Sequence, residues 1–387
     1  MLQKIKNNLQ ARRWKRGTRN NIHNFQLELA NIVKQHPDLK IIIFPPGLGW
    51  LEIKKQRPQH LAEALANQGI LVFYVLPETS NKLNGFKMIV ENLYLCHVPL
   101  EIFDILPDPY VLTMTWNYEF AEQISPARII YDYVDHLQAF SGNQKKLEHY
   151  HTHLVQIAEL ILTTSAPLFQ EVLRDRSDAI LCPNGVDYAH FAMNNNTPVN
   201  PPAEIAPLLF EGSPIIGYSG ALARWFDYDL LETTASQRPD LQFLLIGPDF
   251  DNSLPANLLE LPNLTWVGPK PYPVLPDYMH FFDAAMIPFC VSDLTHAVSP
   301  LKLFEYMAAG KPVVITPMEE SMRYPGVLVA QDSQEFSMRL DEALELRADE
   351  DYLQTIHKVA SENTWQVRAQ QVNQALVEKS KSSALIR

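Results

Sequence analysis

The stretch that most constrains this chain is residues 297–316, Ala-Val-Ser-Pro-Leu-Lys-Leu-Phe-Glu-Tyr-Met-Ala-Ala-Gly-Lys-Pro-Val-Val-Ile-Thr. Ser299 suits a helix N-cap, Pro300 suits the first helical position, and Leu301, Phe304 and Met307/Ala308 recur at helical spacing. Gly310 followed by Pro312 stops the helix, and Val313, Val314 and Ile315 read as a buried strand. A short helix therefore feeds directly into a strand. Its first turn leaves backbone N–H groups unpaired and carries the positive end of the helix dipole, and Lys302 adds a cation, so an anion is the expected guest, phosphate foremost. Lys302 and Glu305 lie three apart on one face, which equally describes a solvated ion pair.

The same alternation runs through the chain. Lys40–Phe44 is an apolar strand leading into Pro45-Pro46-Gly47-Leu48-Gly49-Trp50, a helical pattern covers about 57–68, and Ile70–Val75 is the next strand, a βαβ opening. Gly47 and Gly49 begin a G-x-G-x-x-G pattern, but position 52 is Glu52, so the motif is incomplete and NAD is weakly supported. Apolar runs at 92–98 and 110–114 precede the strand from Arg128, which runs out into Asp132, Asp135 and His136. Ligands in parallel sheets gather beyond the carboxyl ends of strands, so Asp135 is the expected general base, with His136 its rival; a loop aspartate capping the following helix is the plainer alternative. His149, His151 and His153 scatter around a helix and read as surface residues rather than a metal cluster.

Leu160–Ser165 and Ala179–Cys182 give two further strand ends, and residues 194–202 form a polar, proline-rich linker expected to divide two domains. A second series starts at Pro214–Ser219 with a glycine turn at Gly220, and continues through a strand at 241–248, a strand and loop at 263–272, the apolar segment 282–289 and helices over 333–360.

A chain of 387 residues can bury ample core without staples. The three cysteines, Cys96, Cys182 and Cys290, are too far apart in sequence to suggest a disulfide framework or zinc site, and suit a reducing, cytoplasmic setting. Nothing approaches the roughly 20 apolar residues of a membrane span. The net charge is −12, yet residues 1–19 hold seven Lys and Arg and no acid. Met1, Leu2, Ile5 and Leu9 can share a helical face there, so this segment is either a basic amphipathic helix on anionic lipid at the cytoplasmic face of a membrane or a disordered basic tail. A nucleic-acid arm fits poorly on so acidic a body.

Ser-Pro-x-Lys-Leu-Phe-Glu-Tyr-Met-Ala-Ala-Gly-Lys-Pro-Val-Val resembles the donor-sugar segment of GT-B-fold, Leloir-type glycosyltransferases grouped around glycosyltransferase family 4, the glycosyl transferases group 1. Residues 57–69, 183–187 and 214–220 add supporting similarity. The resemblance implies an α/β chain of two Rossmann-like domains facing across a cleft: a basic segment over 1–20, an acceptor domain over 21–195, a nucleotide-sugar donor domain over 205–362, and a helix over 363–387 returning to the first domain. It implies that Glu305 holds ribose hydroxyls and that Ser299 and Lys302 face the diphosphate and sugar. The same resemblance gives Gly220 a close approach to phosphate, makes Arg224 a second cation, and sets Tyr272 to stack on the base. Gly47, Arg57 and His60 fall on the acceptor side. Two departures stand out. Ala297 occupies the position of the family's sugar-side glutamate, and Trp225-Phe226-Asp227 replaces its usual Lys-Gly pair.

The implied reaction is metal-independent transfer of a sugar, hexosyltransferase type, from a UDP- or GDP-linked donor to a hydroxyl acceptor, lipid-linked in one version, with no cofactor and no nucleic acid. Such a peripheral enzyme would serve cell-surface polysaccharide or glycolipid synthesis. Two D-x-D tripeptides, Asp227–Asp229 and Asp249–Asp251, match a metal-holding pattern of the other glycosyltransferase fold but are common by chance. The rival readings are a nucleotide-sugar epimerase of the same fold and a non-catalytic nucleotide-sugar-binding protein.

Overall fold

A computed structural model describes residues 21–50, 55–78, 83–125, 127–140, 142–192, 199–210 and 212–385, with side chains as far as Lys381. The basic segment 1–20 and most of the 194–202 linker lie outside the described residues. The chain divides into two compact units, one of Met1–Pro183 with Arg368–Arg387, the other of Asn184–Val367.

The first unit is built on an eight-stranded sheet. Its strands are β1 (Ile41–Phe44), β2 (Leu71–Val75), β3 (Gly85–Val90), β4 (Leu93–His97), β5 (Tyr110–Thr113), β6 (Arg128–Tyr133), β7 (Leu160–Thr163) and β8 (Ile180–Leu181), in the order β3-β4-β2-β1-β5-β6-β7-β8. Strand β1 is buried along its whole length and pairs in parallel with β2 (Ile41↔Leu71) and with β5 (Ile42↔Tyr110). Burial on both faces is why these strands read as unbroken apolar runs. Strand β3 runs antiparallel to β4 at the edge, past a turn at Asn92 (φ 63°), and exposes Lys87 and Met88. An edge strand with so little burial carries no clear apolar run, which is why the sequence reading passes over it.

The second unit holds six parallel strands: β9 (Ile215–Ser219), β10 (Gln242–Ile246), β11 (Leu264–Trp266), β12 (Ala284–Ile287), β13 (Val313–Ile315) and β14 (Val327–Val329), in the order β11-β10-β9-β12-β13-β14. Strands β9 and β12 are neighbours in space, with Ala285 opposite Gly217, although the chain leaves β9 toward β10 and reaches β12 only after β11. Loops leaving the carboxyl ends of these two strands therefore diverge and open a crevice, the topological switch point of a doubly wound sheet. The divide between units falls at Pro183/Asn184, so the linker expected as a boundary lies inside the second unit. The reason is packing: the Val186 N–H donates to the Asn363 carbonyl at 3.0 Å, and Val186 and Phe191 are buried in the second core.

The helix that opened the sequence reading spans Leu301–Ala308, and Pro300 is its N-cap. Its stop is as expected. Gly310 adopts φ +67°, its N–H reaches the Met307 carbonyl at 3.1 Å, and the Lys311 N–H reaches Tyr306 at 2.9 Å. This paired closure satisfies carbonyls that the helix end would leave open, and only glycine takes that backbone at little cost. Among the described residues no helix is long and apolar enough to cross a membrane.

Candidate functional site

At the switch point of the second sheet, β9 ends in Ser219 and the chain turns at Gly220, whose N–H donates to the Ile246 carbonyl at 2.8 Å. A Cβ on Gly220 would stand 2.4 Å from Lys302 Cε and 2.6 Å from the Tyr218 hydroxyl. Gly247 opposite it has φ +146°, and a Cβ there would lie 1.7 Å from the Gly220 carbonyl oxygen. The two glycines thus let two loops close on each other and leave a slot for the Lys302 side chain. The 301–308 helix is fixed to this loop by Tyr306, whose hydroxyl accepts the Ser219 N–H at 2.7 Å.

The Lys302 ammonium sits 5.6 Å from the Tyr218 ring centre and 5.4 Å from that of Phe289. Ring faces attract a cation but do not replace an anion. Among the described residues the ammonium has no hydrogen bond and no ion pair, and burial pulls its pKa below the ordinary lysine value, with Glu305 opposing. The Leu301 and Lys302 N–H groups also lack a protein acceptor among the described residues. Glu305 lies three residues along the same helix, half-buried. An underneutralised cation beside free N–H donors at a helix start is an anion-binding arrangement.

Ser299 departs from its expected role. It caps no helix; its hydroxyl accepts the Asn184 N–H at 3.2 Å and its carbonyl accepts from the Asn184 side chain at 2.6 Å. The partner lies 115 residues away, which no local pattern reveals. Arg224 is exposed on the loop after Gly220. Tyr272 stacks one ring face on His190, at 4.5 Å between centres and 17° between planes, and meets Phe191 edge-on. That face is committed to protein, so base stacking there is left to the other. The acidic tripeptides serve the backbone. Asp227 caps the helix Tyr228–Gln237 through the Leu230 N–H at 2.9 Å, Asp249 accepts from Ser253 N–H at 3.0 Å, and Asp251 accepts from Arg224 N–H at 3.1 Å. Among the described residues no three His, Cys, Asp or Glu side chains gather as metal ligands.

In the first unit Arg57 begins the helix Arg57–Asn67 and is buried rather than held out toward a ligand. Its Nε and Nη2 donate to the two Asp132 carboxylate oxygens at 2.8 and 2.9 Å, and Nη1 donates to the Pro183 carbonyl at 3.1 Å. Burial works against the Arg57 cation, yet the Asp132 carboxylate outweighs it and its pKa lies above the usual arginine value. This pair, 75 residues apart in sequence, ties the Arg57–Asn67 helix to the end of β6. Asp135 follows three residues later, closely surrounded by protein while keeping partial access to solvent. Burial pushes its carboxyl up to about 7; Arg57 lowers it and Asp132 raises it by smaller amounts. A carboxyl so placed is poised to exchange a proton near neutral pH. The ring of His136 accepts from the Gln138 N–H at 3.5 Å. His60 is buried on the first helix turn, and a Cβ on Gly47 would collide with the Trp116 indole at 2.5 Å, so that glycine serves packing. The histidine helix corrects one expectation. His151 turns inward, with Nδ1 at 2.8 Å from the Tyr131 hydroxyl and its ring against Tyr133, while His149 alone of the three is exposed.

Two Rossmann-like units in one chain, the second with strand order reversing around a glycine loop and a lysine-bearing helix, define the GT-B fold of the glycosyltransferases. The glycosyl transferases group 1 profile matches residues 213–345, which lie within the second unit. A Bacillus subtilis (strain 168) protein, provisionally named teichuronic acid biosynthesis glycosyltransferase TuaH, is 30% identical over 265 residues; the match covers 63% of this chain and 66% of the relative, just under two thirds of its length. Among solved structures, sucrose-phosphate synthase from Thermosynechococcus elongatus superposes with a TM-score of 0.65 at 17% identity, over 89% of this chain and all of that one. HepE from Anabaena, in complex with UDP-glucose, gives 0.62 at 15% identity over 87% and 99% of the two chains. The structural comparisons give the chain the GT-B fold.

Proposed function

We propose that the protein transfers a sugar from a nucleotide diphosphate sugar to a hydroxyl acceptor, in the synthesis of a cell-surface polysaccharide or glycolipid. The observation that carries this reading is the Lys302 ammonium, held between two rings with only partial compensation from Glu305 and, among the described residues, no ion pair, set beside the N–H groups of residues 301 and 302 that lack a protein acceptor there. A leaving nucleoside diphosphate supplies the missing anion, and donors fixed where its charge develops lower the barrier without reorganising. Glu305, farther along the helix, takes the ribose hydroxyls. UDP is the favoured nucleotide because the similar HepE was solved with UDP-glucose, and a polysaccharide product is favoured by the name of TuaH.

Asp135, with its carboxyl near 7, receives the acceptor proton if the anomeric centre inverts; if it is retained, the departing phosphate takes the proton and Asp135 orients the hydroxyl. The Arg57–Asp132 pair holds that end of β6 in place rather than touching substrate. Arg224 adds positive charge on the rim of the donor site. The basic segment 1–20 fits peripheral contact with an anionic membrane surface on the cytoplasmic side, where a lipid-linked acceptor would be presented.

The test is a thermal-shift screen of UDP-, GDP- and dTDP-sugars with wild type and Glu305→Ala. One nucleotide should raise the wild-type melting temperature and lose most of that effect in the variant. Equal shifts in both proteins would refute the ribose assignment, and turnover of donor without acceptor would favour an epimerase.

A further inference from the structure

The departures around Trp225 leave an aromatic surface that the donor reading does not use. Phe250 is 68% exposed, its ring centre 6.1 Å from that of the part-buried Trp225 at 41° between planes, and Val291 nearby in the fold is 51% exposed. Single exposed apolar side chains are ordinary on protein surfaces. This group differs in standing on backbone that is pinned by hydrogen bonds. The Phe250 N–H donates to the Leu222 carbonyl at 2.8 Å, the Cys290 N–H donates to the Trp225 carbonyl at 2.8 Å, and Phe226 bridges Phe289 in antiparallel fashion. The turn that presents Phe250 is closed by Asp249 accepting from Ser253 and Leu254, with Asn252 at φ 58°.

The two rings thus stand on the loops that leave the carboxyl ends of β9 and β10, and the loop they bond to carries Phe289, one wall of the Lys302 slot. Polar groups line the same loops. Arg224 is exposed, with no ion pair to its guanidinium among the described residues, and Asp251, also exposed, accepts the Arg224 backbone N–H.

We propose that Trp225 and Phe250 form a stacking platform for one pyranose ring of a saccharide acceptor, with Arg224 and Asp251 at its rim bonding hydroxyl groups. The apolar C–H face of a sugar matches an aromatic surface, and its hydroxyl edge needs donors and acceptors around it; the loops offer both. A lipid or a folded protein partner would need a broader apolar area than these few side chains supply. Pinned loops favour a small ligand, since the backbone under the rings loses little freedom when it lands. The word acceptor rests on the transferase reading above, whereas saccharide binding is measurable without any donor.

The experiment is a ligand-observed NMR titration of the full chain with maltotriose, cellotriose, chitotriose and trigalacturonate, using wild type, Phe250→Leu, Phe250→Tyr and Lys302→Met. At least one trisaccharide should bind wild type and Phe250→Tyr alike and bind Phe250→Leu about tenfold more weakly, because leucine keeps the bulk and loses the ring face. Lys302→Met should bind it as wild type does. Binding of none of the four, or equal binding by Phe250→Leu, would overturn the platform. Trisaccharide binding without any nucleotide-sugar thermal shift would leave the platform standing and sink the transferase reading.

Discussion

Lys302→Met isolates the charge on which the donor site depends. Methionine retains most of the side-chain length and its contact with the Tyr218 and Phe289 rings, which lie 5.6 and 5.4 Å from the ammonium. Because burial already disfavours the cation in the folded protein, its removal should not lower the melting temperature without ligand. A charge-assisted bond to a diphosphate contributes about 2 kcal/mol, so affinity for the nucleotide sugar should fall roughly 30-fold. With ligand at about 100 times the wild-type Kd, stabilisation by binding would drop from ~2.7 to ~0.9 kcal/mol. For a unit of this size that removes roughly 4–7 °C from the ligand-induced shift. Differential scanning fluorimetry with and without donor reads both quantities. A full-sized shift in Lys302→Met would refute the claim that this ammonium meets the diphosphate.

Asp135→Asn should cut kcat about 10²- to 10⁴-fold if the residue is the base, and wild-type kcat/KM should rise through an apparent pKa near 7 in a pH-rate profile. Its folded pKa lies above the unfolded one, so the folded state binds the extra proton between about 4 and 7; wild-type stability should decline as pH rises across that window, and urea titrations of the asparagine variant should lack that decline. Arg57→Ala should cost about 3–5 kcal/mol in urea denaturation, because it strands the buried Asp132 carboxylate, and the double change with Asp132→Leu should cost less than Arg57→Ala alone. Gly247→Ala should destabilise the protein more than Gly220→Ala, since the first drives a Cβ to 1.7 Å from backbone at φ +146° and the second meets side chains only, the Lys302 end and the buried Tyr218 hydroxyl; thermal melts of both variants rank them.

Much of the fold was legible in the residues. Each βα step announced itself by an apolar run, a glycine or proline turn and a helical stripe, as at 40–75 and 297–316, because burial on both faces of a parallel strand and on one face of a helix writes directly into composition. The edge strand β3 was not legible, having one flank to solvent. Lys302 stood out by its place at a helix start, but its burial against two rings without an ion pair among the described residues depended on which side chains the fold brought near.

What the sequence by itself determined were local matters: where strands and helices run, the glycine stop at Gly310, and the family segment within 213–345. The tertiary structure alone decided the pairings across distance: Arg57 with Asp132, Asn184 with Ser299, Gly220 against Gly247, and Trp225 beside Phe250. Hydrogen bonds within a turn or helix are set by neighbours in the chain, whereas a side chain's partner, burial and proton affinity depend on every element packed around it.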